Sequence, residues 1–447
     1  MKSKTARSAI LFLFLALAFT AGYGVRWWTL PSGEESSAEG IASARAASEA
    51  TGSDAETPRR PARARRAESP SASVAASEEL RAIPYLQGYQ RAGAASAVTV
   101  YESGKAAAGL NFYVSGHDAE AVLMDMEGKP LHRWRHPLGR VWPELRKLER
   151  FSELDYWRRA YLYPNGDLLA IFETVGLVKL DRDSNLLWTY RSDVHHDLFV
   201  DPEGDIWVLD RRQGLVPRMH REKRILEDLV TVLDPSGQVR RQFSILEAFE
   251  KSPYRPLVAS RSVRHGDIFH TNTLGRLDGK LAHLGEAFGD GNLLISVLQL
   301  NTVAILDPRK EKIVWALSGL WRKQHQPEFL ANGHLLVFDN LGPGGRRSRV
   351  VEIDPTTQRF VWSYGGTKAQ QLHSRTLGTS QRLANGNTLI TESEAGRALE
   401  VSPEGQVVWE FINPHRAGRE GELVATLFEL VRLPIDFPFQ GSDRSRS

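Results

Sequence analysis

Histidine and arginine recur at one position ahead of a series of glycine turns. Counting eight residues back from Gly166, Gly204, Gly333 and Gly386 leads to Arg158, His196, His325 and Gly378. His373 and Arg375 stand just ahead of Gly378. Side chains that keep the same phase in a repeat occupy equivalent places in the fold, so we expect these residues to lie together although the sequence separates them.

A further segment carries the same residue types, although an insertion breaks the count there. Its strand begins Phe269-His270-Thr271-Asn272-Thr273, which adds His270 and Asn272 to the candidate site. Histidines without this phase are interpreted as surface or packing residues; they are His132, His136, His220, His283 and His334.

Several kinds of chemistry suit a ring of histidine, asparagine and arginine. Three imidazoles can bind a metal ion, which would indicate a metal-dependent hydrolase. Alternatively, the donors form a pocket for an anion such as a sulfate or phosphate ester. One neutral imidazole can then attack the ester while the other side chains stabilise charge on its oxygens. A second imidazole can protonate a leaving phenolate, because histidine titrates near neutral pH.

The element that must position these residues is a repeated unit of four short strands. One unit runs from Tyr161 through the Asn165-Gly166 turn to Tyr190, and two others contain the turns Asn332-Gly333 and Asn385-Gly386. Glycine supplies the positive φ that such tight turns require. Six units are recognisable, and the one around 121–134 is partial.

A tryptophan marks the last strand of several units, and Trp315, Trp362 and Trp409 are spaced by 47 residues. Four strands per unit and this period are typical of a β-propeller blade, whereas a β-sandwich does not explain the recurring tryptophan. We therefore predict an all-β, six-bladed β-propeller whose first blade is completed by N- and C-terminal strands. Its inner strands would carry the candidate residues to one mouth of the central channel.

Four insertions interrupt the units. Residues 143–159 and 246–262 have helical character, 211–228 form a long basic loop, and 275–289 split a strand pair. Elaborate loops between regular blades often shape a site on one rim, and surface decoration is the alternative.

The N-terminus differs from the rest of the chain. Lys2, Lys4 and Arg7 precede an apolar run from Ser8 to Val25, which suits a short membrane anchor or a signal peptide. The positive flank predicts a cytoplasmic N-terminus with the remainder across the membrane. We therefore predict a single-pass cell-membrane protein with its propeller on the periplasmic, extracytoplasmic side.

Composition divides the chain into four parts: a signal-anchor segment (1–31), a disordered Ala/Ser/Arg-rich linker (32–82), the propeller (83–439) and a polar tail (440–447). The linker has too few large apolar residues to fold. A formal net charge of +3 gives no reason to expect a nucleic-acid partner. The absence of cysteine excludes disulfides, thiolate metal sites and a cysteine nucleophile.

The globular part resembles the bacterial arylsulfotransferases, most closely their membrane-anchored relatives. The resemblance covers about residues 160–415 and is carried by His196-Asp197, His270-Thr271-Asn272, the run from Gln324-His325 to Asn340, and segments 348–354, 361–365 and 378–390. It implies a six-bladed periplasmic propeller that transfers a sulfuryl group from a phenolic sulfate ester to another phenol, without a nucleotide donor.

The resemblance also implies roles for particular residues. His325 would be transiently sulfated, and His196, His270 and Asn272 would bind the sulfuryl oxygens. We assign His325, His270 and His196 to catalysis. Asn272, Arg375, Arg158 and His373 are assigned to substrate binding. No metal and no cofactor is expected; the partners are an aryl sulfate, a phenolic acceptor and the membrane.

One departure from the family bears on activity. The family carries an arginine in the site on the strand after the His-x-Asn motif, and here Leu298 or Gln299 occupies that place. A lost cation at developing negative charge raises the barrier by a few kcal/mol. Either Arg375 or Arg158 replaces it, or the donor is not a simple sulfate, or activity is lost. The alternative function is a non-catalytic propeller that binds a ligand or protein partner on the same rim.

Overall fold

The computed structural model describes residues 88–148, 151–260, 264–418 and 420–439. All of them belong to one compact unit, Ala67–Ser447. The signal-anchor segment, the linker and the tail lie outside the described residues, so these domain boundaries stay predictions. Within the described ranges, none of the helices has both the length and the apolar character needed to cross a membrane.

The described residues fold mainly into antiparallel β-sheet. The strands are β1 (Gly88–Arg91), β2 (Ala97–Tyr101), β3 (Leu110–Ser115), β4 (Glu120–Met124), β5 (Pro130–Arg135), β6 (Arg159–Leu162), β7 (Leu168–Phe172), β8 (Gly176–Leu180), β9 (Leu186–Arg191), β10 (Leu198–Val200), β11 (Ile206–Gly214), β12 (Ile225–Leu233), β13 (Val239–Ser244), β14 (Gly266–Asp267), β15 (Thr271–Arg276), β16 (Leu293–Val297), β17 (Thr302–Asp307), β18 (Lys312–Ser318), β19 (His325–Phe329), β20 (Leu335–Asp339), β21 (Arg349–Asp354), β22 (Arg359–Gly365), β23 (Thr379–Arg382), β24 (Thr388–Glu392), β25 (Arg397–Val401), β26 (Val407–Ile412), β27 (Arg416–Ala417), β28 (Leu423–Ala425) and β29 (Leu427–Leu433).

Each repeat unit of the sequence becomes one antiparallel sheet. Among the described strands, six sheets contain a four-stranded meander: β29-β3-β4-β5, β6 to β9, β10 to β13, β15 to β18, β19 to β22 and β23 to β26. The first strands of neighbouring sheets contact each other, β6 with β10, β10 with β15, β15 with β19, β19 with β23 and β23 with β29. First strands that meet in this order are the inner strands of a ring of blades, which confirms the β-propeller class. We assign one blade to each of the six sheets.

Burial along a blade follows from its place between two neighbours. The second strands β7, β16, β20 and β24 are buried at every position, because adjacent blades cover both of their faces. Each of these strands accordingly has apolar residues at consecutive positions rather than only at alternate ones. The outer strand β9 is exposed or half-exposed throughout. Each fully buried valine, leucine or isoleucine in the middle strands contributes roughly 1.5–3 kcal/mol to the stability of the stack.

Tight turns close the strands where the sequence predicts them. Gly166 and Gly333 have φ of +88° and +83°, a region that glycine enters without a steric penalty. Aspartates at the ends of third strands close the next turn with their side chains. Asp181 Oδ1, for example, accepts from the backbone N–H groups of Asp183 and Asn185 at 2.9 and 2.8 Å.

The recurring tryptophans join neighbouring blades. Trp188 in β9, Trp362 in β22 and Trp409 in β26 each donate their indole N–H to a backbone carbonyl in the turn between the third and fourth strands of the next blade. The accepting oxygens, on Pro235, Pro403 and Met126, lie 3.1, 2.8 and 2.9 Å away. The tryptophan therefore recurs because it bonds one blade to the next. A β-sandwich would not contain such a repeated contact.

The C-terminal strand closes the ring. β29 pairs antiparallel with β3 and becomes the inner strand of the first blade, as predicted. The N-terminal strand does not share this blade. β2 pairs with β26 and extends the preceding sheet at its outer edge, so that part of the closure prediction is wrong. A separate three-stranded sheet, β1-β28-β27, brings the start of the described chain to the rim where the inner strands begin.

The insertions are only partly loops. The predicted basic loop at 211–228 is wrong at both ends, because β11 and β12 continue as a paired ladder in which Arg211 faces Asp228 and Arg212 faces Glu227. Opposite charges facing each other across strands stabilise such an extension. The helical segments are α1 (Leu138–Val141), α2 (Phe151–Leu154), α3 (Ile245–Glu250), α4 (Arg255–Ala259) and the 3-10 helices Pro143–Lys147, Ala282–Leu284, Glu286–Phe288, Leu298–Leu300 and Ser393–Ala395.

Candidate active site

The rim at which the inner strands begin contains a cavity of 590 Å³, here called the site cavity. His270 and His325 line it, and so do His373 and Arg375. Tyr89 of β1 and Lys323 contribute further to its wall. Four of the seven predicted site residues therefore face one space, as the phase of the repeat indicates.

His325 opens β19, and its ring is fixed by two acceptors. Its Nδ1 lies 2.8 Å from Asn340 Oδ1 and 3.1 Å from the backbone carbonyl oxygen of Lys323. Asn340 presents this oxygen because its amide nitrogen donates to the backbone carbonyls of Ser374 and Leu377. Since both neighbours of Nδ1 accept, Nδ1 carries the proton and Nε2 carries the lone pair. Among the described residues, none is hydrogen-bonded to Nε2.

The surroundings of His325 keep its ring neutral. Burial lowers the pKa of His325 to about 3, and the nearby charges of Arg158 and His270 act in the same direction. The hydrogen bonds to Asn340 and to the Lys323 carbonyl oppose this shift without reversing it. An unprotonated imidazole is the nucleophilic form, so His325 is ready to attack across the whole physiological pH range.

His270 is paired with a carboxylate. It immediately precedes β15, and its Nδ1 bonds to Asp267 Oδ2. Burial alone would raise the pKa of Asp267, but the charges of His270 and Arg211 hold it well below its usual range. The ionised carboxylate accepts, so Nδ1 carries a proton. A carboxylate that accepts from Nδ1 orients the imidazole ring and stabilises its protonated form.

His196 lies behind His270 rather than on the cavity wall. The two rings meet edge to face with their centroids 4.8 Å apart. Burial lowers the pKa of His196 well below its ordinary value, and His270, Arg158, His195 and Arg211 add to the shift. His196 Nδ1 lies 3.0 Å from His195 Nδ1, and its backbone N–H donates to Glu173 Oε2 at 3.1 Å. This is a neutral histidine that supports the ring of His270.

Arg158 and Asn272 are also buried behind the cavity. Arg158 stacks on Phe428 with 5.3 Å between its guanidinium carbon and the ring centroid, and its Nε has no hydrogen-bond partner among the described residues. Its charge contributes to the lowered pKa of both His196 and His325. Asn272 donates from Nδ2 to the Gln324 carbonyl at 2.8 Å, and so holds the residue before His325.

The backbone around the site is strained. His196, His270, Lys323 and Gln326 all have left-handed φ, between +42° and +56°. Side chains other than glycine adopt this region at a cost of about 1 kcal/mol or more each, and such residues cluster at functional sites. His196 and His270 show this conformation immediately before the inner strands of neighbouring blades, so their equivalence extends to the backbone.

Residues 159–414, more than half of the chain, match the arylsulfotransferase (ASST) family. This chain belongs to the arylsulfotransferase family. The matched range agrees with the resemblance expected over about residues 160–415, and it includes every predicted site residue except Arg158. No curated protein matches the sequence of this arylsulfotransferase-family chain.

Solved structures similar to this arylsulfotransferase-family chain are remote. A protein of unknown function from Bacteroides caccae is 13% identical with a TM-score of 0.46, covering 72% of this chain and 98% of that one. The β-propeller domain of Cps50 (Swd1) from Myceliophteria thermophila is 14% identical with a TM-score of 0.40, covering 74% and 90%. BamB from Moraxella catarrhalis is 12% identical with a TM-score of 0.32, covering 72% and 75%. The propeller class rests on the sheet order and strand contacts of this chain.

In this arylsulfotransferase-family chain, the residues at the place where the resemblance implies an arginine lie on the cavity wall. Leu298 and Gln299 begin the 3-10 helix Leu298–Leu300 and both line the site cavity. Of the two predicted replacements, Arg375 lines the same cavity and is exposed, whereas Arg158 is buried behind it. The position at which the resemblance implies an arginine therefore faces the same cavity as His325.

Sequence reasoning missed the partners of the two main histidines. Asn340 follows β20 directly, and the hairpin turn at Asn332-Gly333 folds it back beside His325. That register was a usable signal, because strand pairing places residues on either side of a turn opposite each other. Asp267 and Lys323 follow no repeat phase, and Tyr89 comes from a strand outside the blades, so the pattern did not reveal them.

The metal alternative used His196, His270 and His325, and these do not form a metal-binding group within the described part of the chain. A different trio there, His117, Glu120 and His415, has its ligand atoms within 4.8 Å of one another. The two imidazoles stack with centroids 3.5 Å apart and planes 7° from parallel, so their in-plane lone pairs do not converge on one point. Arg133 also donates to the Glu120 carboxylate at 3.0 Å.

Proposed function

We propose that this chain is an arylsulfotransferase-like enzyme that transfers a sulfuryl group from a phenolic sulfate ester to a phenol, through a sulfated His325 and without a nucleotide donor. The observation that carries the proposal is the state of His325 on the cavity wall. The ring is neutral, and Asn340 and the Lys323 carbonyl fix the proton on Nδ1. Membership of the arylsulfotransferase family supports an aryl sulfate and a phenol as substrates.

In the first step, the Nε2 lone pair of His325 forms a bond to sulfur while the bond between sulfur and the aryl oxygen breaks. The electron pair of that bond stays on the phenolate oxygen, which takes a proton from His270. The sulfated ring keeps its Nδ1 proton and carries a positive charge. Asn340 Oδ1 and the Lys323 carbonyl oxygen accept from that N–H and stabilise the charged ring.

In the second step, the acceptor phenol attacks the same sulfur. Its oxygen forms the new ester bond while the nitrogen–sulfur bond breaks, and the pair returns to His325 Nε2. The phenol proton passes to His270, which is again ready to protonate a leaving group. Asp267 keeps His270 oriented in both steps and offsets the charge of its protonated form.

The test is turnover of p-nitrophenyl sulfate with phenol as acceptor. We expect the purified wild-type protein to release nitrophenol and His325→Ala to lose at least about 10³-fold in kcat, as removal of a nucleophile does. His283→Ala, which removes an exposed histidine outside the site cavity, is the matched control and is expected to keep wild-type turnover. Wild-type release no greater than that of His325→Ala would disprove the proposal for this donor.

A trapped intermediate would connect turnover to the residue. With donor and no acceptor, the wild-type protein is expected to gain the mass of one sulfuryl group on the peptide that contains His325. The modification should disappear when phenol is added. An acid-stable modification on another residue would contradict the role of His325.

One observation favours a second candidate function. Neither Leu298 nor Gln299, which line the cavity, is charged, although the resemblance implies an arginine at this place. A propeller that binds aryl sulfates at this rim without transferring the group would show calorimetric binding of p-nitrophenyl sulfate but neither nitrophenol release nor sulfated His325. Binding and turnover measurements on the same protein with the same ligand therefore distinguish the two candidate functions.

We also propose that residues 1–31 hold the protein in the cell membrane with the propeller on the extracytoplasmic side. The support is the sequence alone: a basic flank ahead of the apolar run from Ser8 to Val25. Alkaline carbonate should leave the full-length chain in the membrane fraction, and protease added to spheroplasts should digest the propeller. Extraction by carbonate would contradict an uncleaved anchor.

A further inference from the structure

The turn that carries Leu298 holds a cation from another segment. Lys323, two residues before His325, donates from Nζ to Gln299 Oε1 at 2.7 Å. Both residues line the site cavity together with His270 and His325. An ammonium group is thus present at Gln299, although neither Leu298 nor Gln299 is charged.

The backbone of Lys323 is fixed at both of its polar groups. Its N–H donates to Asn301 Oδ1 at 2.9 Å, and Asn301 ends the same 3-10 turn. Its carbonyl oxygen accepts from His325 Nδ1 at 3.1 Å. Lys323 also has a left-handed φ of +56°, a conformation that the surrounding bonds must maintain. These contacts fix the backbone of Lys323 beside the imidazole of His325.

The other cations near His325 are placed differently. Arg375 lies on the exposed segment between β22 and β23, and Arg158 is buried behind the cavity against Phe428. Lys323 is the cation that is bonded both to the turn of Leu298 and, through its carbonyl, to His325. Lys323 is therefore better placed than Arg375 or Arg158 to supply the positive charge that the resemblance implies at this position.

We propose that Lys323 is a catalytic residue that contacts the sulfuryl oxygens of the donor and takes the part of the arginine that the resemblance implies at Leu298 or Gln299. The inference rests on the proposed function for its reaction, but not for its binding role. An ammonium has three N–H donors, so a bond to Gln299 is compatible with contacts to an anion. Positive charge at the oxygens of the transferred group stabilises the developing negative charge.

The test combines donor binding with turnover. For Lys323→Met we expect calorimetric binding of p-nitrophenyl sulfate to weaken by about ten- to a hundredfold, the loss typical of a hydrogen bond to a charged group. Turnover should fall by about 10²-fold in kcat, as for a lost oxyanion donor. The double variant Lys323→Met with Leu298→Arg returns a cation to the wall and should recover at least part of both. Lys129→Met, an exposed lysine in a surface turn, is the matched control.

The two readouts separate this inference from the proposed function. If the wild type binds the donor through Lys323 but turns nothing over, the proposed function fails and the binding role of Lys323 stands. If Lys323→Met binds the donor as tightly as the wild type, or if the wild type does not bind it, the inference is overturned. Lys323→Gln, which keeps a polar side chain without the charge, replaces Lys323→Met if circular dichroism shows that the methionine variant is unfolded.

Discussion

At the scale of single residues, the reactive nitrogen of His325 is determined by the hydrogen bonds that the other ring nitrogen makes. The carbonyls of Ser374 and Leu377 orient the Asn340 amide, and the amide oxygen then orients the proton of the imidazole. Each link is a hydrogen bond between buried groups, which costs about 1–3 kcal/mol to leave unsatisfied. A nucleophile with an undefined tautomer would spend part of its time with the proton on the attacking atom.

This chain of bonds predicts different outcomes for two substitutions of Asn340. Asn340→Ala removes the acceptor for His325 Nδ1, so kcat should fall by about ten- to a hundredfold while KM changes little, because the Lys323 carbonyl remains as a weaker guide. Asn340→Asp keeps an acceptor and should retain more of kcat, although it cannot donate to Ser374 and Leu377. Steady-state kinetics and urea unfolding of both variants separate these effects. Equal kcat values for the two variants would show that the acceptor does not matter.

The sequence predicted the site residues that follow the repeat and missed those that do not. His196, His270 and His325 share a place at the start of an inner strand, so their phase revealed them. Lys323 and Asp267 reach the site because the backbone turns left-handed at Lys323 and at His270, and nothing in the residue types predicts that. Asn340 was within reach of a register argument, since it pairs back across a recognised turn.

At the scale of elements, the blade is stabilised chiefly by its neighbours. Its middle strands are buried on both faces, and in four blades the fourth strand carries a tryptophan that donates to a backbone carbonyl of the next blade. The repeat therefore predicted the sheets and their order. It failed where a strand leaves the pattern: β11 and β12 extend into the predicted basic loop, and β2 pairs with β26. The pairing of β2 with β26 joins distant segments, which a local pattern does not contain. The extension of β11 and β12 involves facing residues of opposite charge that lie outside the repeat.

The contact between blades can be measured at Trp409. Trp409→Phe keeps an aromatic ring but removes the indole N–H that donates to the Met126 carbonyl, so we expect the free energy of unfolding to fall by about 1–3 kcal/mol. Trp315→Phe is the matched control, because Trp315 packs between Phe288 and Phe329 and a phenylalanine keeps this aromatic cluster. Urea denaturation gives both values. A larger loss for Trp315→Phe would contradict a specific role for the indole bond.

At the scale of the whole molecule, one buried guanidinium group is hydrogen-bonded to residues of several blades behind the site. Arg159 in β6 bonds to Asp197, to Glu429 in β29 and to Gln326 in β19. Together with Arg159, these residues belong to four blades, one of which is completed by the C-terminal strand β29. His195, His196 and His325 are buried close to this network, and burial lowers the pKa of all three. These histidines therefore stay unprotonated in the folded protein at pH values at which the unfolded chain would bind protons there.

The lowered pKa of these histidines predicts that the free energy of unfolding decreases in acid. For His325 the pKa falls from 6.5 in the unfolded chain to about 3 in the folded one, so the unfolded state binds more protons between these values. The stabilisation is complete above pH 6.5 and diminishes as the pH falls towards 3, by about 1.4 kcal/mol per pH unit. Buried carboxyls with raised pKa, such as Glu328, act in the opposite direction. A difference between variants is therefore the cleaner measurement.

His325→Gln removes the imidazole that must stay unprotonated in the folded protein. The wild type loses stability through this group at pH 5 and the variant does not, so the variant should be destabilised by about 2 kcal/mol less at pH 5 than at pH 7.5. The measurement is the free energy of urea unfolding of both proteins at each pH. The matched control is His283→Gln, which replaces an exposed side chain and should change that free energy by less than about 0.5 kcal/mol at either pH. A destabilisation by His325→Gln that stays the same, or grows, at pH 5 would show that His325 is protonated in the folded protein. The neutral nucleophile on which the transfer mechanism depends would then be ruled out.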